Sequence, residues 1–337
     1  MLLVTGACGY IGSHFVCHYL SQTDEDVVAV DNFSMGHRQA LTPWQGRIRF
    51  YDHDIADREA LARLMKENQV SAVVHFAANA YVGESQVLPF KYLDNNVGGS
   101  TGLLQAMAEA GVKRLVFSST CATYGKPQYV PIDEKHPQKP INTYGSSKLM
   151  VEEMLRALAL SKGLKFACLR YFNAAGASES GEIGESHEPE THLIPLALMA
   201  ALGKIPQLKV YGDDYDTPDG TCIRDYIHVL DLAAAHCQAL DLLKRPDFVG
   251  DMEESDGLGL AINLGTASGA SVKEVIAQVE AVLDKPVPYQ IEARRPGDPS
   301  RLVADNSKAR RVLAWNPRYD LKRIIETAAQ WELARRY

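Results

Sequence analysis

The sequence predicts an α/β protein: a doubly wound parallel sheet joined to a smaller mixed α/β substrate lobe. Two observations carry this. Short β-branched runs alternate with stretches of helical period through the first half of the chain, and the first of these runs passes straight into a glycine-spaced turn. Strands are predicted at residues 2–4, 27–30, 48–51, 72–75, 115–118 and 165–169, and helices at 10–22, 58–68, 95–110 and 144–162. Strand, helix, strand repetition requires crossover connections, hence parallel strands with helices on both faces.

Beyond about residue 170 the pattern loosens. Residues 174–191, rich in Gly, Ser and Glu, read as a long functional loop or a lobe boundary. Helices are then expected at 193–201, 229–244, 271–283, 307–313 and 321–335, with strands at 208–211, 261–264 and 287–291. The division is a first domain over 1–173 and a second lobe over 174–337, with some segments interleaved. Residues 244–259, with an acidic middle, read as an exposed insertion.

A chain of 337 residues with 46% hydrophobic and 23% charged side chains can bury a substantial core. A net charge of −7 without a clustered basic stripe argues against nucleic-acid binding, while leaving room for a local anion site. Met1 leads directly into Leu2-Leu3-Val4-Thr5, with no export signature and no apolar stretch of membrane-spanning length anywhere, so a cytoplasmic protein without membrane partners is expected. Six dispersed cysteines, none in a Cys-x-x-Cys pair, read as reduced buried thiols.

The first predicted strand runs into Gly6-Ala7-Cys8-Gly9-Tyr10-Ile11-Gly12, which opens a helix. Glycines there permit a tight turn, close backbone approach to a pyrophosphate and close helix packing, and the helix N-terminus offers N–H groups to the anion. A Rossmann-type dinucleotide site is therefore expected. Asp31, ending the second strand, would accept hydrogen bonds from ribose hydroxyls and repel a 2′-phosphate, which favours NAD over NADP. Arg38 lies well into the following loop and reads as solvated. Asp54-Ile55 would border the adenine or, with Asp57, cap a helix.

Tyr144 and Lys148 stand four residues apart at a predicted helix start, so they share one face. An ammonium beside a phenol stabilises the phenolate and lowers the tyrosine pKa, which makes the two a candidate acid/base pair. His187 and His192 lie in or beside a Glu-rich run at 182–190, but their spacing matches no metal motif, and no metal is expected.

Several stretches together resemble the nucleotide-sugar epimerase branch of the extended short-chain dehydrogenase/reductase family over nearly the whole chain. They are residues 4–14, Asp31-Asn32, His75-Phe76-Ala77-Ala78, Val82-Gly83-Glu84-Ser85, Asp94-Asn95-Asn96-Val97, Ser118-Ser119-Thr120, residues 144–150, Leu169-Arg170-Tyr171-Phe172-Asn173 and residues 224–229. The resemblance implies that Tyr10, Ile11, Asp31, Asn32, Asp54, Ile55, Phe76, Ala77, Ala78, Asn95, Tyr144, Lys148 and Phe172 join the glycine loop around NAD. It implies that Tyr144, Lys148 and Thr120 are catalytic. It also implies that Asn173, His192, Leu193, Tyr211, Arg224, Arg295, Asp298 and Leu302, together with Thr120 and Tyr144, hold a UDP-sugar. Arginines suit diphosphate oxygens, and a carboxylate suits ribose hydroxyls. Where some members carry a lysine over the cofactor pyrophosphate, this chain has Ala80.

The activity so implied is inversion of a UDP-hexose at C4, UDP-glucose/UDP-galactose ahead of UDP-xylose/UDP-arabinose or UDP-N-acetylglucosamine. A 4,6-dehydratase would need the acid/base pair Asp-Glu after the threonine, where this chain has Cys121-Ala122. A silent NAD-binding sensor would be expected to lack Tyr144 or Lys148. The family also implies a homodimer through the helices at 95–110 and 144–162.

Overall fold

The computed structural model describes residues 1–250, 258–295 and 297–337. In chain order its first elements are β1 (Leu2–Thr5), α1 (Tyr10–Gln22), β2 (Val27–Asp31), β3 (Ile48–Asp52), α2 (Arg58–Glu67), β4 (Ala72–His75), α3 (Val82–Val87), α4 (Pro89–Tyr92), α5 (Ser100–Ala110), β5 (Arg114–Thr120), α6 (Thr143–Lys162) and β6 (Lys165–Tyr171). These are followed by β7 (Asn173–Ala175), α7 (Leu193–Ala201), β8 (Leu208–Tyr211), β9 (Ile223–His228), α8 (Val229–Lys244), β10 (Gly259–Leu264), β11 (Gly269–Ser271), α9 (Val272–Leu283), β12 (Tyr289–Glu292), β13 (Arg301–Leu302), α10 (Ser307–Leu313) and α11 (Leu321–Leu333).

A seven-stranded sheet in the order β10-β6-β5-β4-β1-β2-β3 forms the centre, and every pairing in it is parallel. Strands β1, β2, β4 and β10 are buried along their whole length, as a sheet covered on both faces requires. One apolar cluster, including Phe15, Leu232 and Trp315, covers one face through α1 and α8; another, including Leu61, Leu103 and Leu155, covers the other through α2, α5 and α6. The chain runs outward from β1 to β3 and then restarts at β4 on the other side of β1. The crevice this leaves beyond the strand ends is where open α/β sheets bind ligands.

Strand β10 lies far beyond residue 174 yet closes the edge of the large sheet, so the two lobes are interleaved. The smaller lobe holds β11-β9-β13, with β7 paired to β9, and a separate parallel pair β12-β8. Its own core gathers Ile194, Leu198, Val275 and Ile325 from α7, α9 and α11. The acidic middle of the expected insertion at 244–259, residues 251–256, lies outside the described residues.

Helix starts are locally encoded. Asp57 caps α2 by accepting Ala60 N at 3.0 Å, Asn142 caps α6 by accepting Gly145 N at 2.7 Å, and Ser271 forms a reciprocal capping box with Glu274 at α9. The helix expected at 95–110 is regular only from Ser100, because Leu93–Gly99 is a π-helical stretch. Sequence periodicity missed β9, α3, α4 and a 3-10 stretch at Arg38–Arg47. Short segments carry too few residues to show a period.

The helix that carries Tyr144 is tied to the sheet by a buried ion pair. Arg170 on β6 donates from Nε to Glu152 Oε1 at 3.0 Å and from Nη2 to Oε2 at 2.7 Å, with Glu152 fully buried and Arg170 at 1% exposure. Ser119 and Gln138 also donate to Glu152, and the remaining Arg170 amine reaches Tyr124 OH at 2.9 Å. Burial would raise the Glu152 pKa, but Arg170 outweighs it and holds the carboxyl below its ordinary range. Arg170→Met leaves that carboxylate with only the more distant Arg156, 3.6 Å away, as a cationic neighbour, so it should cost about 3 kcal/mol in urea denaturation. A paired Arg170→Met, Glu152→Leu replacement should recover much of the loss.

Candidate active site

The β1–α1 turn meets the requirements of a phosphate cradle. A Cβ on Gly6 would lie 2.5 Å from Ala77 N, and one on Gly12 would lie 2.1 Å from Gly6 O, so both positions exclude side chains by backbone approach. At Gly9 an added Cβ would meet only Gly6 O at 3.4 Å, which leaves the loop's outer side bare. The first turn of α1 carries no acidic residue and no side-chain cap, and its N–H groups remain available to an anion.

Asp31 is 7% exposed; its Oδ2 accepts Cys8 N and its Oδ1 accepts Phe33 N, each at 2.8 Å. These bonds aim the carboxylate beside the loop and leave lone pairs free for hydroxyl donors. Asn32 donates to Asp54 at 2.8 Å, while Ile55 packs against Gly99. Arg38 is exposed and stacks 4.9 Å over Phe50. Phe76 contacts Phe15, and Asn95 donates to Asn96, which also receives Asn79 N. Tyr10 turns its hydroxyl to Gly176 O at 2.6 Å. The cradle, the oriented carboxylate and the strand-end crevice fit a dinucleotide.

Thr120 ends β5, and its side chain lies beside the Tyr144 phenol, whose pKa it lowers. Gly145 makes this possible: a Cβ there would lie 2.5 Å from Ala122 O, so only glycine lets the first turn of α6 approach the end of β5 so closely. Lys148, at 2% exposure, donates to Ser118 O at 2.8 Å and lies 4.8 Å from the centre of the Phe117 ring. Tyr171 donates to the Ser118 hydroxyl from the neighbouring strand.

The expected lowering of Tyr144 by Lys148 is not what the chain alone produces. Burial raises the phenol to about 12, against a smaller lowering by Thr120, because the ammonium is directed at Ser118 O. Burial also brings Lys148 down to about 7. Cys121, after Thr120, is pushed up to about 12 by burial, so its thiol is no base near neutrality.

The residues expected around a UDP-sugar fall into subsets. Arg224 donates to Asp298 Oδ1 at 2.6 Å and to Pro299 O at 2.9 Å, while Arg295 lies 3.9 Å over the Tyr211 ring. Asn173 donates to Asp225 O, and Leu302, paired in register with Arg224, packs with Phe172 and Cys121 beside Thr120. His192 immediately precedes α7, which Leu193 begins, and lies instead against Glu185 and Glu190. Both glutamates went unassigned in the sequence because their partners are set by the path of the 174–191 loop. Asp225 was missed as well; its buried carboxylate accepts from Thr266, Ala267 and Ala304, which pins the turn after β10 to β9.

No disulfide joins any of the six cysteines, all of which are described; Cys8 and Cys168 are buried, and the others are half-buried. Among the described residues no helix is long and apolar enough to cross a membrane.

A phosphate cradle at a strand-order reversal, joined to a Thr, Tyr and Lys constellation, defines a nucleotide-sugar-modifying member of the extended short-chain dehydrogenase/reductase class. Residues 3–328 match a family model described as GDP-mannose 4,6 dehydratase. A UDP-glucose 4-epimerase of Rhizobium meliloti is 48% identical over 99% of this chain and 97% of its own length. A solved UDP-glucose 4-epimerase from Brucella ovis, in complex with NAD, is 47% identical with TM-score 0.90 over 97% of each chain. Another, from Stenotrophomonas maltophila with bound NAD and formylated UDP-arabinopyranose, is 41% identical with TM-score 0.91, covering 99% of this chain and 98% of that one. The chain belongs to the UDP-glucose 4-epimerase family.

Replacing Gly12 by Ala forces its Cβ onto Gly6 O, so purified Gly12→Ala protein should carry little dinucleotide, read by chromatography of the denatured supernatant. The depressed Lys148 pKa has a second consequence. Between about 7 and its ordinary 10.5 the unfolded chain binds the extra proton, so this group adds stability as pH rises through that window. Lys148→Met should therefore differ from the parent most near pH 7, with the gap closing towards pH 10.5 in urea titrations at several pH values.

Proposed function

We propose that the protein interconverts UDP-glucose and UDP-galactose by inverting C4, with NAD held as a resident cofactor by Gly6, Gly9, Gly12, Asp31, Asn32 and the residues beside them. The observation that carries this is the juxtaposition of Thr120, at the end of β5, with the Tyr144 phenol, followed by Cys121-Ala122, which supplies no acid/base pair for water elimination. When bound, NAD supplies a reversible hydride acceptor, so the sugar passes through a 4-keto stage with no net redox change.

The chain's own part is proton transfer and anchoring. Tyr144 removes the C4 hydroxyl proton, directly or through Thr120, and returns it after the sugar has presented its other face. Lys148, fixed on Ser118 O, places a cation one turn along the same helix from the phenol, where it favours the charged form once the site is filled. Arg224, held by Asp298, and Arg295, stacked on Tyr211, meet the diphosphate; Asn173, Leu193 and His192 complete the nucleotide wall. Tight anchoring of the nucleotide with looser contacts to the sugar is what turnover of the intermediate demands. Leu302 and Phe172 border the sugar, so their bulk sets which substituents enter. The formylated UDP-arabinopyranose bound by the Stenotrophomonas relative makes UDP-pentoses the second substrate class to examine.

Incubation with UDP-glucose, UDP-N-acetylglucosamine or UDP-xylose without added NAD, followed by NMR, should give the C4 epimer of UDP-glucose fastest. Failure to form any C4 epimer would sink the reading. Tyr144→Phe should lower turnover by about 10² to 10⁴-fold with the fold retained, and Thr120→Ala by less, because water can replace its hydroxyl.

A homodimer in the cytoplasm, without membrane or nucleic-acid partners, completes the proposal. Val87, the last residue of α3, and Phe90, within α4, are 77% and 74% exposed; both helices pack on α6, where Met150 and Leu160 are exposed too. An apolar face of this kind suits a second copy of the chain. Light scattering should give twice the 37.1 kDa chain mass, and Phe90→Glu should shift it towards the monomer.

A further inference from the structure

The loop after β7 returns over the glycine turn and brings together Glu185, His187, Glu190 and His192. One ligand atom from each lies within 4.8 Å of the others. Glu185 Oε1 is 2.6 Å from His192 Nδ1 and 3.2 Å from His187 Nδ1; Glu190 approaches the same two nitrogens at 3.3 and 3.9 Å. The 3.3 Å contact is made by Glu190 Oε1 and the 3.9 Å contact by Oε2. Tetrahedral zinc with bonds of about 2.0–2.1 Å sets its ligand atoms about 3.3 Å apart, so closing on the ion requires only small adjustments of these side chains.

Ion pairing alone leaves polar groups unsatisfied here. The Glu185 side chain is 6% exposed, and its Oε1, like His187 Nδ1, is buried without a hydrogen-bond partner. The close His–Glu approaches are therefore ion-pair distances misaligned as hydrogen bonds. Buried polar atoms without partners are costly, and a cation between them satisfies all of them at once. Glu190 is held for the purpose: its Oε1 accepts Thr191 N at 2.7 Å and His192 N at 2.8 Å. Two imidazoles with two carboxylates form a donor set of borderline softness that suits zinc better than magnesium or calcium.

We propose that Glu185, His187, Glu190 and His192 form a binding site for Zn²⁺ beside the dinucleotide loop. The His187 ring packs edge-on against Tyr81 at 5.7 Å and Tyr10 at 6.3 Å, so the ion ties the 185–192 segment to the turn that cradles phosphate. His192 then acts on the nucleotide wall by fixing the start of α7.

The test uses untagged protein with its cofactor, dialysed against chelator and titrated with ZnCl₂ by calorimetry and elemental analysis. One zinc per chain is expected, with a thermal midpoint that chelator lowers. Co²⁺ in its place should give the visible bands of a tetrahedral complex. Removing a direct ligand should exceed the roughly 10–100-fold loss typical of outer-shell changes, so His187→Gln and Glu185→Gln should each bind at least about 100-fold more weakly. Should Glu185→Gln fail to fold by circular dichroism, the half-buried His187 carries the comparison alone. Wild type that takes up no stoichiometric zinc, or His187→Gln that binds it equally well, overturns the site in favour of a metal-free imidazolium–carboxylate network. None of these readouts depends on which sugar the enzyme accepts.

Discussion

The active site depends on the buried Glu152–Arg170 pair. Glu152 lies one turn beyond Lys148 on α6, and Arg170 lies beside Tyr171 on β6, so two hydrogen bonds set the depth and rotation of the helix against the sheet. Ser119, one residue before Thr120, donates to the same carboxylate. Thr120 on β5 and Tyr144 on α6 therefore share one polar anchor beneath them. A buried ion pair contributes little net stability compared with apolar packing, but it penalises misregistered helices by leaving a charge unpaired. In this protein that penalty serves to position the proton-transfer groups.

A chain with net charge −7 must still hold diphosphates, and it does so locally. One cradle is made from backbone N–H groups, with glycines chosen by backbone clearance at Gly6 and Gly12. The other uses arginines whose direction is set by acidic or aromatic neighbours, Arg224 by Asp298 and Arg295 by Tyr211. Neither depends on overall charge. The loop over residues 176–191 borders the first cradle through Tyr10 and leads into α7.

Most of the large sheet was legible in the sequence, because long buried strands and amphipathic helices write their period plainly: α1, α7, α8 and α10 begin and end where the pattern puts them. The exceptions are informative. Strand β9 hides behind Arg224 and Asp225, and a buried Asp reads as a loop residue until the backbone donors of three other residues are seen around it. Tyr144 and Lys148 share one helix face as their spacing predicts, but burial dominates both groups and raises the phenol where the neighbouring ammonium was expected to lower it.

The sequence by itself determined the sheet class, the glycine cradle, the acidic residue that ends β2 and the Tyr144/Lys148 spacing, all of which depend on residues close together in the chain. Only the tertiary structure decided that Thr120 meets Tyr144, that Lys148 is directed to Ser118, and that Glu185 and Glu190 gather two histidines. Those outcomes turn on the approach of segments distant in sequence or on the path of an irregular loop. No local period encodes them, because they follow from backbone clearance and from the need to satisfy buried polar atoms.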